Sequence, residues 1–506
     1  MADRFAPADA AVLAPYVTNV ARPIFALKNL PEEVVAVLFA YYSRSRDSLR
    51  ANLLRLLKEQ DLDLDRRLAV TATADPDLAG ARRKAREFHE KWVVGYGHAS
   101  VAEHAVAHLA LEDVSIVASK VIEDARLASY TEKSTRYVVF DRERFYRDPR
   151  VLASPHAALY EATCRQLLET YTSLMDPVTA SIRAETPRRD GQTDRAFDVA
   201  CRAKACDVLR YLLPAATLTN IGLTANGRTL EQLISKLLSH PLAEVQAIGA
   251  AMKVEAQEII PTLIKFADRN AYRQETGEAM AKLAGAVLVK AADASPEVAL
   301  VHAPPDAEER LIAAILYGYT DQPLREVESQ VGKLSQEKKV RILDEYLTRR
   351  GSHDAPLRAL EHLNFTFDVL VDFGAFRDIQ RHRMATQTPQ ETTAVHGYST
   401  PPEIEEYGHG PVFHQCMAQA RAVYDAIATD CPGDAQYVLP LAFRKRVLFT
   451  WNLREIHHFV QLRSGRQGHP SYRSIAQQVY TVLTRAHPLL AQYIRVDLEG
   501  YRLARQ

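Results

Sequence analysis

Three groups that carry, or can carry, positive charge stand together at Arg381-His382-Arg383. Guanidinium forks match phosphate oxygens two at a time, so such a triplet can clamp an anion. It can equally be a solvated helix end. Phe373, Phe376 and Ile379 recur every three residues just before it, as on one face of a helix, and cations there complement the helix dipole. Other residues with chemistry to offer fall in short runs: His98, Ser100, Glu103 and His104; Ser134 and Arg136; Asn452 and Arg454; Leu462-Arg463 with His469 beyond. None forms an H-E-x-x-H or a carboxylate–His pair at ligand spacing, so no metal site is expected. No G-x-G-x-x-G or P-loop occurs, which disfavours a Rossmann dehydrogenase or an NTPase. Plainer roles stay open: His104 and His362 as structural histidines, Glu103 and Glu361 as helix-capping acids, and the two Asn-x-Arg pairs as ties that hold the fold.

The elements that would position these groups are mostly helical. Periodicity predicts helices through residues 1–92, from Ser115 through Ala125 into Arg126-Leu-Ala-Ser129, almost throughout 150–290, and over 306–350. A weak strand signal falls at Leu109 and Leu111. A clear one runs through Leu363, Phe365, Phe367, Val369 and Val371, which alternate with polar residues. Residues 291–304, rich in Pro, Ala and Asp, read as a linker.

The order of events repeats across that linker. Glu103-His104 matches Glu361-His362, Leu-Ala-Ser129 matches Met-Ala-Thr386, Leu-Leu-Pro214 matches Val-Leu-Pro440, and Asn226-x-Arg228 matches Asn452-x-Arg454. The offsets are 257–258 residues for the first two and 226 for the last two. Four landmarks in one order indicate a duplicated domain and exclude a short-period solenoid. The copies would span 1–290 and 305–506, joined by 291–304. The expected fold is α+β, two tandem homologous domains, each a small antiparallel sheet flanked by many helices.

Bulk composition narrows the function. The 506 residues balance 63 Lys+Arg against 63 Asp+Glu, which argues against a general nucleic-acid or membrane-surface binder. No secretory leader and no apolar run of about 18 residues are visible. The five cysteines show no C-x-x-C pairing, as expected of buried thiols in a reducing, cytoplasmic setting.

The landmarks resemble the flavin-dependent thymidylate synthases, whose signature is R-H-R-x-x-S-x-x-x-x-S-x-R. It is preceded by H-x-[ST]-x-x-E-H and a strand, and followed by L-P, N-x-R and L-R. Copy 1 keeps Arg126, Ser129, Ser134 and Arg136, with His98, Ser100, Glu103 and His104 upstream; it has Asp124-Ala125 for Arg-His and Leu237 for the last arginine. Copy 2 keeps Arg381-His382-Arg383, Asn452, Arg454 and Leu462-Arg463; it has Thr393 where the signature ends in arginine. The losses are complementary.

The resemblance implies methylation of dUMP, or a related pyrimidine nucleotide, at C5. Reduced FAD would supply hydride, methylenetetrahydrofolate the carbon, and NADPH would recharge the flavin, so the protein's work would be binding, orientation and electrostatics. Arg381, His382, Arg383, His98, Ser100, Glu103, Asn452, Arg454 and His458 would hold the flavin, and His382 would sit against its ring. Glu132, Ser134, Arg136 and Arg463 would hold the nucleotide, with Arg463 facing the uracil carbonyls. Arg463, Arg136 and His382 are the candidate catalytic residues. Family enzymes share sites among four subunits, so a homodimer of this chain would imitate that tetramer, with one competent composite site per chain. A degenerate paralogue that binds FAD or a nucleotide as a scaffold or regulator is the alternative.

Overall fold

The computed structural model describes residues 5–42, 47–58, 99–289 and 295–501. They fall in two compact units: Met1–Glu112, Leu127–Glu132 and Asn220–Leu288 in the first, and Asp113–Arg126, Lys133–Thr219 and Val289–Gln506 in the second. The fold is α+β, with two small antiparallel sheets among many helices. Among the described residues no helix is long and apolar enough to cross a membrane. Four of the five cysteines are buried free thiols, and Cys431 is half-buried.

The duplication is visible element by element. In copy 1, β1 (Val106–Ser115) runs into helix α1 (Ile116–Ile122), β2 (Ala128–Glu132) follows, then helix α2 (Asp194–Leu209), and β3 (Leu218–Asn226) runs into helix α3 (Gly227–Leu238). In copy 2, β4 (Val298–His302) precedes β5 (Asn364–Asp372), which runs into helix α4 (Phe373–Ile379). Then come β6 (Thr386–Pro389), β7 (Arg444–Asn452) with helix α5 (Leu453–Ser464), and helix α6 (Pro470–Ala486). The sheet orders are β1-β3-β2 and β4-β5-β7-β6. They are the same arrangement, with β4 added at one edge.

Each strand-to-helix junction is made by the same device in both copies. A polar side chain at the N-cap accepts a backbone N–H three residues on, which satisfies an orphan donor of the first turn. Ser115 Oγ accepts from Ala118 at 2.9 Å and Asp372 Oδ1 from Ala375 at 2.7 Å. Asn226 Oδ1 accepts from Thr229 at 2.9 Å and Asn452 Oδ1 from Glu455 at 2.8 Å. The Asn-x-Arg landmark also ties each copy locally. Arg228 bonds Glu103 at 2.6 Å in the first unit, and Arg454 bonds Glu361 at 2.8 Å in the second.

Several strands depart from the expected helices. β3 interrupts the stretch 150–290, and β2 follows α1 where the helix was expected to continue. The buried residues of β3 are Thr219, Ile221, Leu223 and Ala225. Two of these are weakly apolar, so the period of two is faint. β7 opens with three cations, yet Lys445 and Arg446 are buried. The Lys445 ammonium lies 5.4 and 5.0 Å from the Phe373 and Phe376 rings, where the ring faces attract a cation. Burial lowers the Lys445 amine to about 8. β4 lies inside the stretch expected to be a linker and pairs antiparallel with β5. The core of the second sheet is aromatic: Trp451 is fully buried and stacks on Phe449 and on Phe459, each at 4.7 Å.

Because Asn452 caps the helix that carries Arg463, Asn452→Ala should lower unfolding free energy by about 1 kcal/mol. Urea unfolding reads this directly, and an unchanged midpoint would deny the cap its role.

Candidate functional site

The basic triplet lies just past α4. The helix ends at Ile379, and the chain leaves it at Gln380, whose side-chain Nε2 donates to the Lys120 carbonyl at 2.8 Å. This exit turns Arg381 outward, half exposed, and His382 inward, 4% exposed. Arg463 Nε donates to His382 Nε2 at 2.9 Å, and His382 Nδ1 lies 2.7 Å from Glu455 Oε1. A ring nitrogen that accepts from a guanidinium carries no proton. His382 is therefore neutral, with its hydrogen on Nδ1 and directed at Glu455. Burial lowers its pKa to about 4, with Arg463 helping and Glu455 opposing.

The copy 1 arginine reaches the same neighbourhood. Arg136 Nε and Nη2 lie 2.7 and 2.9 Å from the two oxygens of Asp207 on α2. Its Nη1 donates to the Tyr472 hydroxyl at 2.8 Å, and Nη2 also donates to the Gln467 carbonyl at 3.2 Å. The Tyr472 ring lies 5.6 Å from the Arg136 guanidinium and 5.3 Å from that of Arg463. Only glycine at 468 lets the loop pass Tyr472 this closely, since a Cβ there would stand 2.8 Å from Tyr472 Cε2 and 2.6 Å from Arg473 Cγ. Burial alone would lower the Arg136 pKa, but the bonds and charge of Asp207 override it, and the guanidinium ends above its ordinary value.

Asp378 is the hub beneath. Burial pushes its carboxyl up, yet the surrounding Arg210, Arg381, Arg136 and Arg463 hold it well below the usual carboxylate range. Arg210 Nη1 is 3.2 Å from Asp378 Oδ2. The Arg210 side chain is 1% exposed, and its Nε and Nη2 have no hydrogen-bond partner among the described residues. Gly374 makes room for it, because a Cβ there would meet Arg210 Nε at 3.3 Å. Asp372, beside it, takes bonds from Ser471 and, at 3.3 Å, from the Tyr211 hydroxyl. His469 Nε2 donates to the Asp207 carbonyl at 3.1 Å while Nδ1 accepts from Ser471 N. Burial, then Arg210 and Arg136, hold this imidazole neutral. A cavity of about 330 Å³ borders the cluster, lined in part by Asp207, Tyr211, His469 and Ser471.

The second unit thus brings together Arg136, Arg463 and His382, with Arg381 at 3.8 Å from Asp378. Ser134 Oγ accepts from Arg136 N at 3.2 Å. Arg383 is half-buried, and His458 is exposed with its ring 5.2 Å from that of His382. Asn452 caps α5, and Arg454 is bound to the Pro356 carbonyl and Glu361. In the first unit Glu132 pairs with Ile221 across β2 and β3, and Glu103 is bound by Arg228. Ser100 lies in the short helix Ala99–Glu103. His98 lies outside the described residues. Phe459 stands edge-on to His382 at 5.1 Å. Among the described residues there is no group of three or more His, Cys, Asp or Glu that could hold a metal.

Sequence reasoning missed Asp207, Arg210, Asp378, Tyr472 and Glu455. Glu455 had a signal: it stands three residues after the capping Asn452, the capping-box position, although its carboxylate turns to His382. The others are single polar residues on helical stretches, with no spacing to mark them.

A duplicated α+β fold whose arginines gather around buried carboxylates, with no triad or metal set among the described residues, defines a protein suited to binding anionic or carbonyl-rich ligands. The chain belongs to the Thy1 family, described as thymidylate synthase complementing protein, whose model matches residues 40–262 and 299–489. A UPF0159 protein of Chlamydia pneumoniae is 36% identical over 513 residues, covering 97% of this chain and 95% of that protein. A flavin-dependent thymidylate synthase of Saccharolobus solfataricus is 27% identical over 203 residues, 37% of this chain and 68% of that one. The solved flavin-dependent thymidylate synthase of Helicobacter pylori, complexed with FAD and dUMP, is similar at 17% identity with a TM-score of 0.30, over 40% of this chain and all of that one.

The neutral His382 has a measurable consequence. Folded, it stays unprotonated down to about pH 4; unfolded, it takes a proton near its ordinary value of about 6.5. Between these limits the unfolded chain binds one more proton, so stability falls as pH falls, by up to about 1.4 kcal/mol per pH unit for this group. His382→Gln should flatten the wild-type dependence by about that slope across this window, as read by urea unfolding at stepped pH. Parallel curves for the two proteins would refute the assignment.

Proposed function

We propose that this chain is a cytoplasmic flavoenzyme of pyrimidine metabolism that transfers a one-carbon unit to C5 of a uracil ring, with dUMP or a related nucleotide as substrate. The observation that carries this reading is that Arg136 from copy 1 and Arg463 from copy 2 share one Tyr472 ring. The two incomplete signatures thereby supply one site. The copies are taken as 1–290 and 305–506, and two chains would pair to give the four-domain arrangement.

The residues suit an FAD. Arg381 and Arg126 are exposed cations near the triplet, with Arg126 Nη2 3.3 Å from Thr386 Oγ1, and such guanidinium groups fit a diphosphate. Arg381 and Arg383 would hold it. When bound, FAD would supply the hydride that reduces the transferred carbon, with methylenetetrahydrofolate as carbon donor and NADPH as reductant. Arg463, fixed by its bond to the neutral His382, would face the uracil carbonyls and stabilise charge that develops there. Glu455 would keep His382 in the tautomer that accepts from Arg463. His382 itself is too buried to lie open to a flavin ring, so its role would be to position Arg463.

A second reading, a binding or regulatory protein without turnover, is favoured by the Asp207 carboxylate bound to Arg136. The two separate by experiment. The purified chain should be yellow and hold about one FAD per chain. Arg381→Ala should weaken flavin about 10- to 100-fold, the worth of one or two charge-assisted bonds. Formation of C5-methylated product with reduced FAD and methylenetetrahydrofolate, followed by mass spectrometry, decides for the enzyme. Bound flavin without product would decide for the second reading, and a colourless chain that takes up no added FAD would remove both.

A further inference from the structure

We propose that helix Ala271–Val287 is the docking surface for a second copy of this chain, the two helices lying antiparallel with their apolar stripes together. The inference does not rest on the catalytic reading, because the helix carries none of the residues placed in the site.

The stripe follows from spacing. At about 3.6 residues per turn, Tyr272, Thr276, Met280, Leu283 and Val287 fall within an arc of about 80°. Gln274, Glu275, Glu278 and Lys282 fall on the other side. A helix patterned in this way normally turns its stripe to a core. Here none of its residues is buried, and Tyr272, Met280, Leu283 and Val287 are 51–76% exposed. The helix is nonetheless fixed at its start. Asn270 N donates to Ser239 Oγ at 2.8 Å, and Asn270 Oδ1 accepts from Arg273 N at 3.1 Å. A helix of 17 residues is marginal in water on propensity alone, and Gly277 and Gly285 weaken it further. A contiguous apolar stripe on such a helix marks an interaction surface.

The charges choose the occupant. Glu275 and Lys282 lie on one flank of the stripe, beside Ala279 and Ala286. Seven residues separate them, about 10 Å along the axis, so they do not reach one another. Neither has an ion-pair partner among the described residues. Their midpoint lies between 278 and 279, and that of the helix is 279. A second copy laid antiparallel about a two-fold through this point brings Glu275 against Lys282 of that copy, and Lys282 against its Glu275. One helix thus carries both halves of two ion pairs, as a self-complementary surface must. A parallel pairing would turn this flank to the opposite one, where Arg273 is the charged residue, and would leave Lys282 unmatched. Close approach is provided for as well. Gly277 and Ala279 border the stripe at its middle, and a Cβ at Gly277 would meet nothing within 4 Å.

The test is sedimentation velocity on the full chain at micromolar concentration, with thermal melting to confirm folding. Wild type should be a dimer. Met280→Glu and Leu283→Glu should each weaken it at least about tenfold, a conservative figure for a charge placed in a desolvated contact. Glu275→Lys and Lys282→Glu should each weaken it about threefold, the scale of exposed ion pairs, and the two together should restore it. Thiol cross-linking checks the direction without weakening the contact. Ala279→Cys, beside the axis, should link to itself, and Tyr272→Cys should not. A mixture of Tyr272→Cys and Ala286→Cys should link across. Wild type is the blank, since four of its cysteines are buried and Cys431 is half-buried.

A monomeric wild type overturns the proposal, and so does a dimer that the two glutamate variants leave as tight as before. Self-linking at Tyr272→Cys, or a double charge exchange that restores nothing, rejects the antiparallel pairing and the proposal with it.

Discussion

The second unit depends on an antiparallel backbone exchange between two copies of one short motif. Around Pro214 and Pro440, Ala215 N donates to Leu439 O and Leu441 N to Leu213 O, each at 2.9 Å. One step further out, Ala216 N donates to Tyr437 O at 2.9 Å and Ala442 N to Tyr211 O at 3.3 Å. Every bond has its mate 226 residues away, so the pairing is a local two-fold. Proline has no N–H to give, and the bonds come accordingly from the residues that flank it. This exchange fixes the end of α2 against copy 2, and Asp207, Tyr211 and Arg210 follow it. The leucine–proline landmark, which has no chemistry of its own, is what allows residues of both copies to share a cluster.

What sits beside that exchange is costly to bury. A guanidinium or carboxylate taken out of water loses several kcal/mol of solvation, which returns only if a partner and further hydrogen bonds meet it. Here the cations and acids are interleaved. Asp378 lies among four arginines, Asp207 is clasped by one of them, and Asp372 takes hydroxyls from Tyr211 and Ser471. His382 and His469 complete the arrangement by staying neutral, each accepting on one nitrogen and donating on the other. A protonated imidazole would place one more cation against Arg463 or Arg136. Their neutrality is therefore part of how the arginines are kept, and removing one acid leaves an uncompensated cation instead of a simple gap.

How much of this the sequence carried depends on whether a residue's role repeats. Of the recurring landmarks, Asn226 and Asn452 mark strand-to-helix junctions and their caps, Glu103 and Glu361 lie in short helices ahead of a strand, Ser129 and Thr386 lie in β2 and β6, and the two prolines mark the backbone exchange. The duplication and the α+β class were legible for that reason. Strands were legible only where large apolar residues alternate, as in β5. In β3 threonine and alanine take buried positions, and in β7 buried cations do, so the signal is lost although the registers are regular. Within the site, the triplet and the end of the interrupted signature could be read. Asp207 and Asp378 could not, because a carboxylate's partner across 71 or 168 residues is set by the Pro214–Pro440 exchange and leaves no trace in spacing.

The two copies also differ in what their equivalent helices present, and the difference has a packing cause. Leu237 on α3 holds the position that Arg463 holds on α5, 226 residues later. It is fully buried, and a Cβ added at Gly249 would stand 2.8 Å from its Cβ. Helix Ala243–Ile259 has thus closed over the end of α3, with glycine at the point of contact. An arginine at 237 would have to bury its charge against that backbone with no acid corresponding to Asp378, whose counterpart in copy 1 is Val121. Loss of the cation and closure of the helix over it reinforce one another, since each makes the other less costly. Copy 1 uses that position for its own core, and the copy 1 residues that reach the copy 2 cluster are Arg136 and the end of α2, with Arg126 meeting Thr386.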